Sequence, residues 1–191
     1  MQFAIGGTMT TLFFRIIVAC TLVGLVVVIP LGSPVVRAEV FNARTSGTTN
    51  DLKAIHGATD SILWAVGDAG TIIKSIDGGV TWTPQVSGTA ANLLSIYAIS
   101  PTVAWVGGIG VLLGTTNGGV TWTSQLSTGS DYVTGVAAVS PTVAWATGTQ
   151  GKIWATTNGS TWTPQVSGVT GPLSGVSAIA QRQLEIATDD N

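Results

Sequence analysis

A short polar turn occurs three times in this sequence, and its first residue carries a side chain that could take part in chemistry. The stretches SIDGGVTW, TTNGGVTW and TTNGSTW each place an acid or an amide before glycine and tryptophan. A carboxylate at this point could bind calcium or transfer a proton. The residue is Asp77 in the first copy but Asn117 and Asn158 in the others, and an amide cannot act as an acid or a base. The change therefore favours a structural role.

The backbone chemistry of the turn explains why either side chain serves. Asp-Gly or Asn-Gly between apolar runs is a strong hairpin signal, and glycine adopts positive φ without a Cβ clash. Either side-chain oxygen can accept a hydrogen bond from the backbone two residues on, which closes an Asx turn. We expect the tryptophan that follows to fold back and fill the gap between neighbouring units. The predicted turn residues are Asp77, Gly78, Gly79, Trp82, Asn117, Gly118, Gly119, Trp122, Asn158, Gly159 and Trp162.

The turns belong to a repeat of about 40 residues. Two series of tryptophans follow this spacing: Trp82, Trp122 and Trp162, and Trp64, Trp105 and Trp145. Each unit consists of short runs rich in Val, Ile, Thr and Trp, bounded by Gly, Ser, Pro or Asn, which is typical of strands and turns. Four short strands in about 40 residues is the period of a propeller blade. The sequence therefore predicts an all-β fold of four-stranded antiparallel, propeller-type blades.

Strand alternation predicts which side chains accompany the second tryptophan series. The expected same-face neighbours of Trp64, Trp105 and Trp145 are Val66, Val106 and Ala146, and we expect that face to be packed. Trp154 stands where the other units have Ile73 and Leu113, so it is the tryptophan that departs from the pattern.

The predicted repeat domain spans residues 39–191. Its units lie at about 43–82, 83–122 and 123–162, with a partial unit at 163–191, or about 3.7 repeats in all. Residues 41–47 align with 82–88 and correspond to the outer strand of a blade whose other strands lie elsewhere. Three arrangements stay open: a four-bladed ring completed by residues 41–45, two chains sharing a ring of seven or eight blades, or a truncated relative of a longer propeller.

Residues 1–38 have the layout of a signal peptide or a membrane anchor. Arg15 precedes an apolar run within residues 13–32, and small residues up to Ala38 precede a cleavage point before Glu39. The uninterrupted apolar core is short for a membrane span. We expect an exported protein of the periplasm, thylakoid lumen or extracellular space, with retention as a membrane-anchored protein as the alternative.

Composition and scarce reactive residues argue against several functional classes. The formal charge of −2 is not that of a nucleic-acid-binding surface. His56 is the sole histidine and Cys20 the sole cysteine, too few of the usual ligands for a zinc site. We expect His56 to be structural, and we expect turn or cap roles in loops for four acids: Asp51, Asp60, Asp68 and Asp131. The sequence predicts no catalytic residue, no metal site, no cofactor and no enzyme activity.

Residues 75–82 match the Asp-box, or BNR-like, pattern of sialidase-like and sortilin-like propellers. The stretch ILWAVGDAGTIIKSIDGGVTWTPQVSG, residues 62–88, resembles a unit of the photosystem II stability/assembly factor family, whose members form a seven-bladed propeller; the likeness covers residues 41–188. This resemblance implies a non-catalytic lumenal or periplasmic scaffold that binds protein partners and helps to assemble a membrane complex in photosynthesis. The arginine cluster of the photosynthetic members does not carry over, because residues 39–191 contain only Arg44 and Arg182.

Other functions and partners remain open at this level. One alternative is a carbohydrate-binding or sialidase-like propeller without the catalytic residues, and another is a structural repeat of the cell surface. Two arginines cannot form the three-arginine clamp of a sialidase, although Tyr97 and Tyr132 are present. Besides a protein partner, a homodimer that completes the propeller ring is a further expectation, and no nucleic acid is expected.

Overall fold

The computed structural model describes residues 43–179, which form two antiparallel sheets. The strands are β1 (Leu52–Gly57), β2 (Leu63–Gly67), β3 (Ile72–Ser75), β4 (Thr83–Gln85), β5 (Leu93–Ala98), β6 (Ala104–Thr115), β7 (Thr123–Ala138), β8 (Ala144–Gly148), β9 (Ile153–Thr156) and β10 (Thr163–Gln165). Short 3-10 turns, Asp68–Gly70 and Thr149–Gly151, connect β2 to β3 and β8 to β9. The predicted all-β class is confirmed.

The first sheet is one complete unit, a meander in the order β1-β2-β3-β4. Pairing of β2 with β3 sets Val66 opposite Ile72, so the chain reverses within the turn at residues 67–71. This reversal places Ala69 at φ 53° and Gly70 at φ 69°, the left-handed region that glycine tolerates best. The unit therefore has the four short strands that the repeat predicts.

The second sheet has six strands in the order β10-β9-β8-β7-β6-β5, and it contains two units. Residues 104–108 of β6 pair with β5, whereas residues 111–114 pair with the first part of β7. The last part of β7, residues 133–138, pairs with β8. β6 thus supplies the second and third strands of unit two. β7 supplies the fourth strand of unit two and the first strand of unit three.

A one-residue deletion accounts for the length of β6. The second unit has Ile109-Gly110 where the first has Asp68-Ala69-Gly70. With one residue fewer, the 3-10 turn is replaced by Gly110 at φ 74°, and the strand assignment continues through the turn. Ile109 also pairs with Tyr132 of β7, which ties the second unit to the third.

The apolar core lies between successive units. A first cluster joins Trp64, Val66 and Ile72 of unit one to β5 and β6 of unit two, and it includes Trp122. A second cluster joins Trp105 and Leu112 of unit two to β7, β8 and β9 of unit three, and it includes Trp154 and Trp162. Each unit therefore has one face towards the preceding unit and one towards the following unit.

The turn tryptophans lie on the face towards the preceding unit. Trp122 is 8% exposed and Trp162 is 7% exposed, each against the unit before its own. Trp82 is only half-buried. It lies on the face of unit one that points away from unit two, where residues 43–48 are the only part of a preceding unit within the described range. Trp154, which departs from the repeat in type, is buried in the second cluster, so the larger ring still occupies a core position.

The prediction that Val106 and Ala146 share a face with their tryptophans is wrong. Val66 lies two residues after Trp64 and shares its cluster, but Val106 directly follows Trp105. Because neighbouring residues of a strand point to opposite faces, Trp105 lies in the second cluster and Val106 in the first. Ala146 likewise directly follows Trp145 and lies in the second cluster, whereas Trp145 is half-buried on the other face.

Both ends of the described range belong to further units. Ser46 Oγ accepts a hydrogen bond from Thr48 N–H, the bond that Ser87 makes with Thr89 and Ser167 makes with Val169. Residues 46–48 therefore form the turn that ends a unit, although residues 43–45 lie in no strand. Phe41 and Asn42, at the start of the predicted outer strand, lie outside the described residues, as does the predicted boundary at residue 38.

Residues 172–179 begin a fourth unit beside the third. Leu173 N–H donates to Gly148 O at 3.0 Å, and Thr134 Oγ1 donates to Leu173 O. By repeat alignment this segment is equivalent to β5. Among residues 43–179, no helix is long and apolar enough to cross a membrane. The apolar run at 13–32 lies outside that range.

Candidate functional site

The Asp77 turn is closed by a dense set of hydrogen bonds. Asp77 Oδ1 accepts from Thr81 N–H at 2.9 Å, and Asp77 Oδ2 accepts from Thr81 Oγ1 at 2.6 Å. Ser75 Oγ donates to Asp77 Oδ1 and accepts from Gly79 N–H, both at 2.8 Å. The donors from Thr81, and then Ser75, lower the pKa of Asp77 from 3.8 to about 2. The carboxylate thus reaches the backbone four residues on, where the sequence predicted two.

The two asparagine turns use the same framework. Asn117 Oδ1 accepts from Thr121 N–H at 3.0 Å, and Asn117 Nδ2 donates to Thr121 Oγ1 at 2.8 Å. Asn158 Oδ1 accepts from Thr161 N–H at 2.8 Å and from Ser160 N–H at 3.0 Å. Because the threonine hydroxyl can donate to a carboxylate or accept from an amide, either side chain closes the turn. Within residues 43–179, no group of three or more His, Cys, Asp or Glu side chains could hold a metal ion.

The Asp77→Asn variant is expected to keep the wild-type stability at pH 7. Asn117 already shows how the amide satisfies the same partners, whereas Asn117→Ala removes them and should cost about 1 kcal/mol. The lowered pKa of Asp77 means that its stabilisation is present above 3.8 and is lost as pH falls towards 2. Urea unfolding between pH 2 and 7 should therefore show a steeper acid dependence for wild type than for Asp77→Asn. Loss of binding activity in Asp77→Asn at unchanged stability would contradict the structural role.

His56 links the first two units. Its Nδ1 accepts the N–H of Ala98 at 3.2 Å, and its ring centroid lies 4.4 Å from that of Tyr97. Burial lowers the pKa of His56 from 6.5, and the neutral ring is the form that can accept this bond. The arrangement makes His56 a structural contact between β1 and β5.

Stability should fall as pH drops below 6.5 because of His56. Its pKa is lowered in the folded state, so the unfolded chain binds the proton more readily, and the stabilisation is complete only above the unfolded value. Urea unfolding at pH 8 and pH 5 measures this loss. His56→Phe, which keeps the ring contact with Tyr97, should reduce the difference between the two pH values. An unchanged difference in that variant would assign the dependence to other groups.

Asp131 and Lys152 form an ion pair that the sequence did not reveal. Asp131 was expected in a loop, but it lies within β7 and is only 6% exposed. It pairs with Lys152 Nζ, and Thr149 Oγ1 donates to it at 3.4 Å. The pair borders a cleft of about 300 Å³. The cleft lies between the middle of β7, where the chain passes from unit two to unit three, and strands β9 and β10, from which Trp154 and Gln165 line it.

Repeat alignment supplies a signal for this pair. Asn50 and Thr71 hold the equivalent positions in unit one, where Asn50 Nδ2 donates to Thr71 Oγ1 at 2.8 Å. The same two positions therefore interact in two units with different chemistry. The joint change from Asn50 and Thr71 to Asp131 and Lys152 is the sequence signal that could have indicated this contact.

The face of unit one that points away from unit two carries an apolar groove, here called the incoming groove. It has a volume of about 350 Å³ and includes Leu52, Ile55, Ala65, Ile73 and Trp82. Arg44 and Lys53 lie at its edge. Lys53 pairs with Asp68 at 3.1 Å and Asp51 at 3.2 Å, and hydrogen bonds to Asp68 and Asp51 raise its pKa.

The remaining candidate residues do not assemble a catalytic centre within residues 43–179. Tyr97 stacks on His56, and Asp60 lies exposed between β1 and β2. Arg44 lies in the incoming groove, whereas Arg182 is outside the described range. The described features are thus hydrogen-bonded turns, a partly buried ion pair and open clefts.

Comparison with known proteins identifies the repeat. A family model described as "Photosynthesis system II assembly factor YCF48" matches residues 36–183. The chain belongs to this family. The resemblance drawn from residues 62–88 is therefore confirmed. No curated protein matches the chain.

Solved structures of the family share the fold. "YCF48 bound to D1 peptide" is 24% identical with a TM-score of 0.57, and the match covers 65% of this chain and 42% of that one. YCF48 from Cyanidioschyzon merolae is 26% identical with a TM-score of 0.54, covering 63% and 41%. This chain thus spans about two fifths of the length of these relatives. The extracellular domain of a B. thetaiotaomicron hybrid two-component system, BT4673, is 14% identical with a TM-score of 0.50, covering 71% and 19%, and shows the fold alone. The predicted propeller-type class is confirmed.

Proposed function

We propose that this chain is an exported, non-catalytic scaffold that binds a protein partner during the assembly of a membrane complex. The observation that carries the proposal is the family match over residues 36–183 to an assembly factor. A similar fold is seen in YCF48 bound to a D1 peptide, which supports an extended protein segment as the kind of ligand. The partner of this chain would be an equivalent segment of a membrane-complex subunit.

The chemistry of the described residues supports binding over catalysis. The carboxylate of Asp77 and the ring of His56 are both engaged in local hydrogen bonds. Asp131 is neutralised by Lys152. Exposed apolar side chains recur at equivalent positions, in the turns as Val80 and Val120 and after the outer strands as Val86 and Val166. Burial of such side chains against a protein partner lowers the free energy of the complex.

The proposal places the protein in the periplasm, the thylakoid lumen or the extracellular space. Support comes from the apolar run at residues 13–32, its preceding Arg15 and the small residues before Glu39. Retention of that run would keep the protein at the membrane surface, next to the proposed complex. The proposal also includes a homodimer in which two copies share one propeller ring.

Parallel peptide and glycan arrays test the partner class. A fluorescently labelled chain should bind a subset of overlapping peptides that tile the D1 protein and should leave the glycans unlabelled. The Asp77→Asn variant, in which the turn is preserved, serves as the matched control and should give the same peptide pattern. Binding to glycans without binding to peptides would overturn the proposal in favour of a carbohydrate-binding propeller.

A further inference from the structure

The incoming groove occupies positions that are buried in the other units. Leu52, Ile55, Ala65, Ile73 and Trp82 of unit one align with Leu93, Ile96, Val106, Leu113 and Trp122 of unit two. All five residues of unit two lie in the first core cluster, covered by unit one. In unit one, by contrast, Ile55 is 60% exposed, Leu52 is 39% exposed and Trp82 is half-buried, whereas Ala65 and Ile73 are buried as in unit two. The groove is thus one half of an interface between units. The matching half is the face that each unit turns towards the unit after it, as in the two interfaces inside the chain.

The interfaces inside the chain show which residues form that other half. Ala58, just after the first strand of unit one, packs against the first cluster, which contains Ile96. Ile99, its equivalent in unit two, packs against the second cluster, which contains Val136. Ile96 and Val136 are both equivalent to Ile55. An apolar residue at the end of the preceding unit's first strand should therefore contact Ile55.

Residues 172–179 carry such a residue. This segment begins the fourth unit, and Ile179 aligns with Ile99 of unit two. Ile179 is 85% exposed, although its equivalent is packed against a core cluster. The chain therefore displays both halves of the interface, with the groove on its first unit and the matching isoleucine on its fourth.

The size of the ring indicates that the two halves meet between chains. The match to the peptide-bound YCF48 covers about three units of this chain and 42% of the other, which corresponds to about seven blades in a whole ring, within the range of known propellers. On an arc of that curvature, the first and fourth units of one chain are separated by nearly half of the circle. A second copy of the chain can bring Ile179 to Ile55.

We propose that the incoming groove is the docking site for residues 172–179 of a second copy of this chain. Ile179 of one copy packs against Ile55 and Trp82 of the other. A two-fold axis gives two such contacts and joins two copies in one ring of eight blades, four from each copy. The inference rests on the homodimer in the proposed function and adds the surface through which it forms.

Cysteine cross-linking between singly substituted chains tests this surface. In full-length chains carrying Cys20→Ser, one sample contains Ile55→Cys and the other Ile179→Cys, and the two are mixed and oxidised. A disulfide-linked species of two chains is expected in the mixture. Val86→Cys, at an exposed position that does not line the groove, replaces Ile55→Cys in the control and should give at least tenfold less cross-linked product. No more cross-linked product in the mixture than in the control would overturn the proposal.

Light scattering distinguishes a homodimer that forms through another surface from the absence of a homodimer. Wild type is expected to have the mass of two chains, Ile55→Asp the mass of one, and Val86→Asp the mass of two. Circular dichroism should show the same β content in all three proteins. A wild-type mass of two chains without the cross-link would refute the surface and leave the homodimer standing. A wild-type mass of one chain at every concentration would refute both, whereas peptide binding on the arrays would be unaffected by either result.

Discussion

Replacing Trp122 by alanine is expected to lower the free energy of unfolding by about 3–5 kcal/mol. The indole is 8% exposed and lies in the cluster that joins units one and two. Its removal leaves a cavity between two faces that no nearby side chain can fill without moving a sheet. Trp162 occupies the same position between units two and three, so Trp162→Ala should give a loss of similar size.

Trp82→Ala is the matched control for this experiment. Trp82 is the same residue in the same turn, but it lies in the incoming groove and is half-buried. All three variants are made in chains carrying Ile55→Asp, which keeps a second copy off the groove. Removal of Trp82 should then cost about 1–2 kcal/mol, in proportion to the smaller area taken from water. Urea unfolding followed by far-ultraviolet circular dichroism measures all three variants. Equal losses for Trp82 and Trp122 would show that the preceding unit does not determine the contribution of the tryptophan.

Lys152→Ala is expected to cost about 2–3 kcal/mol. Loss of one partner from a fully buried ion pair costs about 3–5 kcal/mol, and the cost should be smaller here because the Lys152 side chain is 43% exposed. The substitution would leave the Asp131 side chain, 8% exposed, without its ion-pair partner. Chemical unfolding at pH 7 gives the loss directly.

The equivalent pair in unit one provides a compensating double substitution for Lys152→Ala. The double substitution Asp131→Asn with Lys152→Thr reproduces the pair formed by Asn50 and Thr71, and it should recover most of the lost stability. Lys53→Ala, which breaks the partly exposed ion pairs with Asp51 and Asp68, should cost less than Lys152→Ala. If the double variant were no more stable than Lys152→Ala, the two positions would not act as an interchangeable pair.

Local features were predictable from the sequence because their causes are local. The Asp77 turn and its asparagine copies depend on residues within a few positions of one another, and the repeat displays them three times. The strand count per unit follows from the same spacing. The reach of the Asp77 carboxylate to Thr81, instead of two residues on, was missed because local composition fits several turn geometries.

Features that depend on neighbouring units were less accessible. The different burial of Trp82 and Trp122 arises from what packs against each unit, which identical turn sequences do not encode. Val106 was predicted on the wrong face because it was treated as the equivalent of Val66. Val66 lies two residues after Trp64, whereas Val106 lies one residue after Trp105 and therefore points to the opposite face. Asp131 was assigned to a loop because its partner, Lys152, lies 21 residues further on, just before β9, and has no charged equivalent in unit one.

A solution titration with the D1 peptide tests the central claim, that this repeat protein is a protein-binding scaffold, most directly. Fluorescence anisotropy of the labelled peptide is followed as the chain is added, with a scrambled peptide of the same composition as control. We expect saturable binding of the D1 peptide, at least tenfold tighter than the scrambled one, and unchanged affinity for Asp77→Asn. Equal affinity for both peptides, or no binding by a chain shown to be folded, would contradict it.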